Sequence, residues 1–347
     1  MRIGTFNVRG ILIDDKKADL ATDFKRYSLD VLCVQETHIP NTNLINIRGE
    51  QGNKIKLYHT GTEEDSHHGV GIAVDVDRKV LFKRINNRIC YVKLLDNNTT
   101  VICAYSPTND NTRKNPKETE NFYTALNDTL NNFSKKEQIF IAADFNAQVG
   151  IHHKDYPQSI GKHYKGHKRD ENSKFLINLL TQNQLIATNT KFKHKLAHTT
   201  TWECNNRRKY PVRNQIDFIL CKTNTFFSVT NSRSYSGTRT SSDHRLVICD
   251  IPKFKWHKIF PKKKVEQKVN CEKIIKNIDI NKKYKREVRE KFQESKRPTN
   301  NQERWDRITE VCIGAGKKIA GNIERKKHIE HKDLTRPGKQ YRRPLNQ

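Results

Sequence analysis

No stretch of this 347-residue sequence approaches the roughly 18 consecutive apolar residues that a membrane-spanning helix needs. The start, Met1-Arg-Ile-Gly-Thr-Phe-Asn7, lacks the apolar core of a secretory signal. The eight cysteines are scattered, with no CxxC pair and no Cys/His cluster at zinc spacing. Several of them sit inside apolar runs, where a free thiol packs like a small hydrophobe. These absences exclude a membrane protein, a disulfide scaffold and a zinc module. They point to a soluble intracellular protein, nuclear or cytoplasmic. Acidic residues are also scarce, 38 Asp+Glu against 66 Lys+Arg, for a formal charge of +28. A protein this basic attracts polyanions, although solvated lysines alone give the same number.

With 34% hydrophobic residues a packed core is possible, under a very polar surface. Short β-type runs recur up to about Pro252: Ile3–Asn7, Val31–Gln35, Val70–Val74, Cys90–Leu94, Val101–Tyr105, Ile139–Phe145, Ile216–Cys221 and Leu246–Ile251. Many are near-continuous Val, Ile, Leu, Phe and Cys, as strands covered by other layers are. Between them, Leu20, Phe24 and Tyr27 share a helical face. So do Phe122, Leu126, Leu130 and Phe133, and again Phe175, Leu176, Leu179 and Leu180. Interleaved strands and helices over about 250 residues imply layered α/β packing.

After Pro252 the composition changes, with 29 Lys and Arg against 12 Asp and Glu in the last 95 residues. Helices are expected around Ile274–Ile278 and over Trp305–Ala320, and an unfolded end at Arg336–Pro344. Residues 253–347 read as a basic, partly helical or disordered extension, either a solvated linker or a nucleic-acid-binding arm. Lys262–Lys264 and Arg325–Lys327 could serve as nuclear-import signals. No internal repeat is visible.

Polar residues recur at the ends of the apolar runs. Asn7 ends one run, Glu36 follows another with His38 behind it, and Asp144 and Asn146 close a third. Asp217 and Asp243-His244 begin two more. Singly, an Asp at a strand end is a turn former or a helix cap. Together these residues form a set at one kind of place, the sheet edge where α/β folds carry sites. Buried carboxylates need pairing or a metal, and oxygen donors without thiolate suit Mg²⁺ or Mn²⁺. Such a set fits phosphodiester hydrolysis: a metal to polarise the phosphoryl group, a carboxylate for the attacking water, amides to hold the phosphate and a His to meet developing charge.

The segments TFNVRG, QETH, AYSPT, ADFNAQVG, TTW, NQIDFIL and SSDHRLV occur in the order seen in the endonuclease/exonuclease/phosphatase superfamily, which includes abasic-site endonucleases and DNase I. Within it the stretch from Gly161 to Asp217 resembles the endonuclease domain of RTE-type non-LTR (LINE) retrotransposons and craniofacial development protein 2-like sequences. The likeness covers residues 1–252, read as one endonuclease/exonuclease/phosphatase domain. It implies a four-layer α/β (α+β) sandwich, two packed mixed β-sheets flanked by helices. It also implies a Mg²⁺-dependent endonuclease (Mn²⁺ possible) that nicks double-stranded DNA and leaves a 3′-hydroxyl, the end that primes reverse transcription in the parent element. No reverse-transcriptase motif follows, so a truncated element or a derived host gene is expected.

Carried over by motif, Glu36 is the principal metal ligand and Asp243 a second, indirect metal contact. Asn7 and Asn146 position the metal shell and the phosphate, and Asp144 orients or activates water. Asp217 pairs with His244, which stabilises the transition state. Tyr105, which alone reads as core, contacts the phosphate through its hydroxyl, and Thr201 and Ser242 give secondary phosphate contacts. Within Lys222–Ser241, Arg233 and Arg239 are expected beside the site, entering a DNA groove or decorating a surface hairpin. His38, His67, His68, His152 and His153 are set aside for want of a third ligand, and Trp202 reads as core. Ala143 stands where the family usually has Gly. A catalytically dead binding protein, an abasic-site endonuclease, an RNA deadenylase or a phosphoinositide hydrolase on the same fold are the alternatives.

Overall fold

A computed structural model describes residues 1–61, 68–134, 136–150, 155–164, 166, 168–204, 211–252, 269–293 and 301–321. His67, His152, His153, both lysine-rich stretches and the Arg336–Pro344 tail lie outside these residues. Strands and helices are numbered in chain order. Seven strands form one sheet, in the spatial order Asn231–Tyr235 (β14), Leu246–Asp250 (β15), Arg2–Asn7 (β1), Val31–Gln35 (β2), Val70–Asp75 (β5), Lys54–Thr60 (β4) and Asn43–Arg48 (β3). Six form a second: Leu185–Ala187 (β10), Asp217–Lys222 (β13), Gln138–Asp144 (β9), Thr99–Tyr105 (β8), Ile89–Leu94 (β7) and Val80–Arg84 (β6). Trp202–Cys204 (β11) and Val212–Asn214 (β12) make a separate antiparallel ribbon.

The near-continuous apolar runs follow from strand alternation between two covered faces. On β2, Val31 and Cys33 face the layer between the sheets, while Leu32 and Val34 pack beneath the helix Asp14–Arg26 (α1) with Leu20 and Phe24. On β9, Phe140 and Ala142 face inward. Ile139, Ile141 and Ala143 pack outward beneath Pro116–Asn131 (α3) and Glu171–Gln182 (α4), against Leu126, Leu130, Leu176 and Leu180. The result is the expected four-layer sandwich, helix, sheet, sheet, helix. Each fully buried Leu, Ile or Phe contributes about 1.5–3 kcal/mol of burial, so these three clusters supply the driving force. Short helices at Asn109–Lys114 (α2) and Thr223–Phe226 (α5) complete the unit.

The β-type runs read from the sequence leave out β3, β4, β6, β10, β12 and β14. On β4 the buried Ile55 and Leu57 alternate with Lys54, Lys56 and the half-buried Tyr58, and on β6 Leu81 is exposed. Polar alternation at a sheet margin does not stand out from loop sequence. In the second unit, residues 255–347, the described helices are Cys271–Lys276 (α6), Ile278–Gln293 (α7) and Asn301–Ala320 (α8). Lys318 pairs with Glu287 there, and Val311 and Ala315 are buried. Among the described residues no helix is long and apolar enough to cross a membrane.

Two pairings place the functional edge. β1 runs parallel to β2, with Asn7 beside Gln35, and β8 runs parallel to β9, with Tyr105 beside Asp144. The carboxyl ends of these four strands therefore lie at one edge. β13 and β15 run antiparallel to β9 and β1, so their first residues arrive at the same edge. The chain entering β15 is anchored from below by Asp23 of α1, which is 1% exposed. Its carboxylate accepts the backbone N–H of Arg239 and the N–H and hydroxyl of Thr240, each at 2.9 Å. Asp23→Ala, which strands these donors, is expected to cost about 2–4 kcal/mol. Urea unfolding measures this, with the exposed Asp15→Ala within about 0.5 kcal/mol of the parent as control.

Candidate active site

The layer between the sheets turns polar at this edge. Thr5 and Gln35 exchange side-chain hydrogen bonds, and Gln35 donates to the Ala142 carbonyl at 3.3 Å, tying the sheets together. One step further, the fully buried Asn7 spans both sheets. Its Nδ2 donates to Glu36 Oε1 at 2.8 Å and to Asp144 Oδ2 at 3.0 Å. Its Oδ1 accepts the Arg9 backbone N–H at 3.1 Å. The Tyr105 hydroxyl donates to the same Glu36 oxygen at 2.7 Å.

The backbone is bent to make this possible. Arg9, Glu36, His38 and Asn146 all adopt left-handed conformations, with φ of 48, 51, 56 and 47°. Such residues cost about 1–2 kcal/mol each, and the cluster of four marks a place where position outweighs comfort. Asn146 is held by a network: its N–H donates to Asp144 Oδ1 at 2.9 Å and its Nδ2 to the Ser106 carbonyl at 3.0 Å. Its own carbonyl accepts Asn109 Nδ2 at 2.6 Å and Asn172 Nδ2 at 3.1 Å.

Across the edge, His244 Nδ1 lies 3.1 Å from Asp217 Oδ2, and its Nε2 is 3.9 Å from Asp144 Oδ2. Both carboxylates and the ring are buried. Burial opposes charge on His244, but the Asp217 carboxylate outweighs it, helped by Asp144 and Asp243, and the imidazole is pushed up to about 9. Burial first, then the charge of Asp217, raises Asp144 to about 7. Burial alone would also raise Glu36. The hydrogen bonds from Asn7 and Tyr105 and the charges of Arg9 and His244 overcome it, holding Glu36 below the usual carboxylate range. Burial and the neighbouring carboxylates push Tyr105 far up, so its hydroxyl keeps its proton and donates.

Among the described residues at this edge, two groups of side chains could hold a divalent cation. Asp144, Asp217 and His244 bring ligand atoms within 4.8 Å of one another. There Asp217 is committed to His244 Nδ1, and its charge favours the protonated ring, which does not ligate. Glu36 and Asp243 fit better. Glu36 Oε1 takes both hydrogen bonds, leaving Oε2 with Arg9 at 3.8 Å and His38 at 3.6 Å. Asp243 Oδ2 accepts Trp202 Nε1 at 2.9 Å, while Oδ1 is buried without a hydrogen-bond partner. An orphaned carboxylate oxygen beside an ionised Glu is a donor set for a hard cation.

The structure thus gathers Asn7, Glu36, Tyr105, Asp144, Asn146, Asp217, Asp243 and His244 at one edge. Ser242 joins them: its hydroxyl donates to the Asn7 carbonyl at 2.7 Å and accepts the His244 N–H at 3.1 Å. Thr201 requires a correction. It is fully buried, and its hydroxyl accepts the N–H groups of Ile216 and Asp217, so it shapes the turn into β13 rather than meeting a phosphate. For Arg233 and Arg239 the structure favours the surface-hairpin alternative, since β14 and β15 pair antiparallel. Arg233 stands mid-strand opposite Ile248 with its guanidinium over the Tyr235 ring, and Arg239 pairs with Glu50. Ser236, Thr238 and Thr240–Ser242 do border a groove of about 700 Å³ beside the site, with Arg9 and Arg245. Trp202 is a hydrogen-bond donor to Asp243 rather than core, and His38 belongs to the site. Ala143 packs in the helix-facing core, and Asp144 beside it accepts hydrogen bonds from Asn7 and Asn146. The sequence reading also missed Arg9 and Arg88. Arg88 backs the Tyr105 ring at 5.4 Å and pairs with Glu118. An Arg directly after the Asn7 motif was a signal available in the sequence.

Residues 4–244 match the Endonuclease/Exonuclease/phosphatase family. The chain is 28% identical over 274 residues to craniofacial development protein 2 of Bos taurus, a span covering 75% of this chain and 42% of that protein. It therefore spans less than half of that relative's length. The fold is similar to a 3′-5′ exonuclease (NExo) from Neisseria meningitidis, with a TM-score of 0.53 and 17% identity over 72% of this chain and 99% of that one. It is also similar to the endonuclease domain of TRAS1, a telomere-specific non-LTR retrotransposon, with a TM-score of 0.51 and 15% identity over 73% and 99% of the two chains. At these identities what is shared with the solved structures is the fold.

The charge on His244 can be checked directly. With EDTA present, its ring proton resonance should titrate near pH 9, not near the usual value of about 6.5. A raised value means that the Asp217–His244 pair stabilises the fold below about pH 6.5 and loses that contribution as pH rises towards 9. In Asp217→Asn the midpoint should fall by one unit or more, because burial then meets less opposition. An unchanged midpoint would remove Asp217 as the cause.

Proposed function

The chain belongs to the endonuclease/exonuclease/phosphatase family, and from that premise we propose that it is a Mg²⁺-dependent phosphodiesterase that nicks DNA and leaves a 3′-hydroxyl. The observation that carries this reading is the Asp217–His244 pair facing Asp144 across the edge where Asn7 joins Glu36 to Asp144. Mn²⁺ would serve in place of Mg²⁺, since the donors are hard oxygens.

Glu36 and Asp243 would hold the ion, with Asn7 fixing the orientation of Glu36. When bound, the ion supplies Lewis-acid polarisation of a phosphoryl oxygen and charge to stabilise the leaving alkoxide. Asp144, raised to about 7, is a base matched to neutral pH. It orients water and takes its proton as the oxygen attacks phosphorus and the bond to the 3′ oxygen breaks; that oxygen leaves with the bonding pair and takes a proton from solvent to become the 3′-hydroxyl. His244, kept cationic by Asp217, donates from Nε2 to the phosphoryl oxygen that gains charge. Tyr105 donates to the phosphate once substrate competes with Glu36 for its hydroxyl, and Asn146 and Ser242 lie at the margin of the same surface.

DNA as the substrate is supported by the charge of +28, which favours a polyanion with many phosphates, and by the likeness to a retrotransposon endonuclease fold. Residues 253–347 then act as a basic extension that adds sequence-independent affinity. On this reading, wild type with Mg²⁺ converts supercoiled plasmid to open-circular DNA, and EDTA stops it. Glu36→Ala and His244→Ala should each slow nicking by about 10²–10⁴-fold. Parallel assays on abasic duplex and RNA separate the other phosphoesterase activities. Retained plasmid binding with no nicking by wild type would replace the reading with a binding-only one.

A further inference from the structure

Arg9 stands where a cation would stand between Glu36 and Asp243. Its Nη1 donates to Asp243 Oδ2 at 2.8 Å, and its Nε is 3.8 Å from Glu36 Oε2. The two ends of the residue are held very differently. The backbone is fixed: its N–H is bonded to Asn7, its carbonyl accepts Lys16 Nζ at 3.2 Å, and φ is 48°. The side chain is 56% exposed, whereas those of Glu36 and Asp243 are 14% and 26% exposed. The guanidinium can therefore swing away at little packing cost, while its point of attachment stays beside the site. Asp243 is partly prepared for that departure, because Trp202 Nε1 already holds the oxygen Arg9 shares, and its other oxygen is buried and unpartnered.

We propose that Arg9 is an internal counter-ion of the metal site and a phosphate ligand by displacement. In the metal-free protein its guanidinium compensates Glu36 and Asp243. A divalent cation between those carboxylates expels it, because a guanidinium within about 4–6 Å of a divalent charge is repelled. The expelled fork of N–H donors then meets a backbone phosphate of the nucleic acid, for which its planar geometry is suited. Metal binding and substrate binding are thereby coupled: the ion must compete with Arg9, and substrate favours the state in which Arg9 has left. The apparent metal affinity is lowered by the fraction of molecules in which Arg9 occupies the carboxylates.

This role rests on the metal-dependent function proposed above, and calorimetric titration of the full chain with Mn²⁺, without nucleic acid, tells the two apart. Wild type, Arg9→Gln, Arg9→Lys and Glu36→Gln are compared. Arg9→Gln should bind Mn²⁺ about fivefold more tightly than wild type, the upper range for an exposed ion pair. Arg9→Lys should lie near wild type, and Glu36→Gln should lose the binding. In a His244→Ala background that suppresses cleavage, Arg9→Gln should also weaken duplex DNA binding with Mn²⁺ present and lower its log–log salt slope by about 1. If wild type binds Mn²⁺ and Arg9→Gln binds it equally or less well, Arg9 is not a counter-ion and the proposal is overturned while metal dependence stands. Tighter Mn²⁺ binding with an unchanged salt slope would overturn the phosphate half alone. If neither protein binds Mn²⁺, the metal-dependent function and the role of Arg9 both fall.

Discussion

The side-chain amide of Asn7 is the joint on which the site depends. It belongs to a strand of one sheet, yet a single nitrogen donates to Glu36 in that sheet and to Asp144 in the other. Without it, two carboxylates, Glu36 half-buried and Asp144 buried, would face each other across the gap between sheets, each one donor short. The amide supplies both donors at once and fixes how far apart the carboxylates stand. Parallel pairing of β1 with β2 and of β8 with β9 brings the partners to the same level. Packing of Phe140, Ile72, Val101 and Val247 below keeps the sheets at that separation.

Around the joint, burial and charge sort the ionisable groups into different states. Glu36 is held ionised, Asp144 is lifted to the neutral range, and His244 is held protonated. Groups of similar intrinsic acidity thus stand ready for different tasks, which is how acid and base assignments are made in a compact site. Left-handed residues at Arg9, Glu36, His38 and Asn146 turn the side chains of neighbouring strands towards one point. The cost of those conformations is met by cores that are well filled on both sides of each sheet.

Much of this was legible in the sequence because strand ends are local features. Glu36, Asp144, Asp217 and His244 each adjoin an apolar run, and a charged group beside a buried strand stands out. The helices carried their own signal, since Leu20 and Phe24 or Leu126 and Leu130 repeat at helical spacing. What escaped depends on contacts between distant segments. Trp202 looks apolar, but its indole N–H finds Asp243, 41 residues away. Thr201 fits a phosphate-contact motif, yet its hydroxyl is consumed by the turn into β13. The place of Arg9 next to the Asn7 motif was visible, but its pairing with Asp243, 234 residues away, is made by the fold. β4 hides because lysines alternate with its buried residues.

The central claim is that the site divides into a cation-holding half, Glu36 with Asp243, and a proton-handling half, Asp144 with Asp217 and His244. Anomalous diffraction from crystals grown with Mn²⁺ tests the division directly. The account predicts one strong peak about 2.0–2.3 Å from oxygens of Glu36 and Asp243, with the Asp217–His244 pair intact. A peak ligated by Asp144, Asp217 and His244 would contradict it, because His244 would then be a neutral ligand and not the protonated donor of the mechanism.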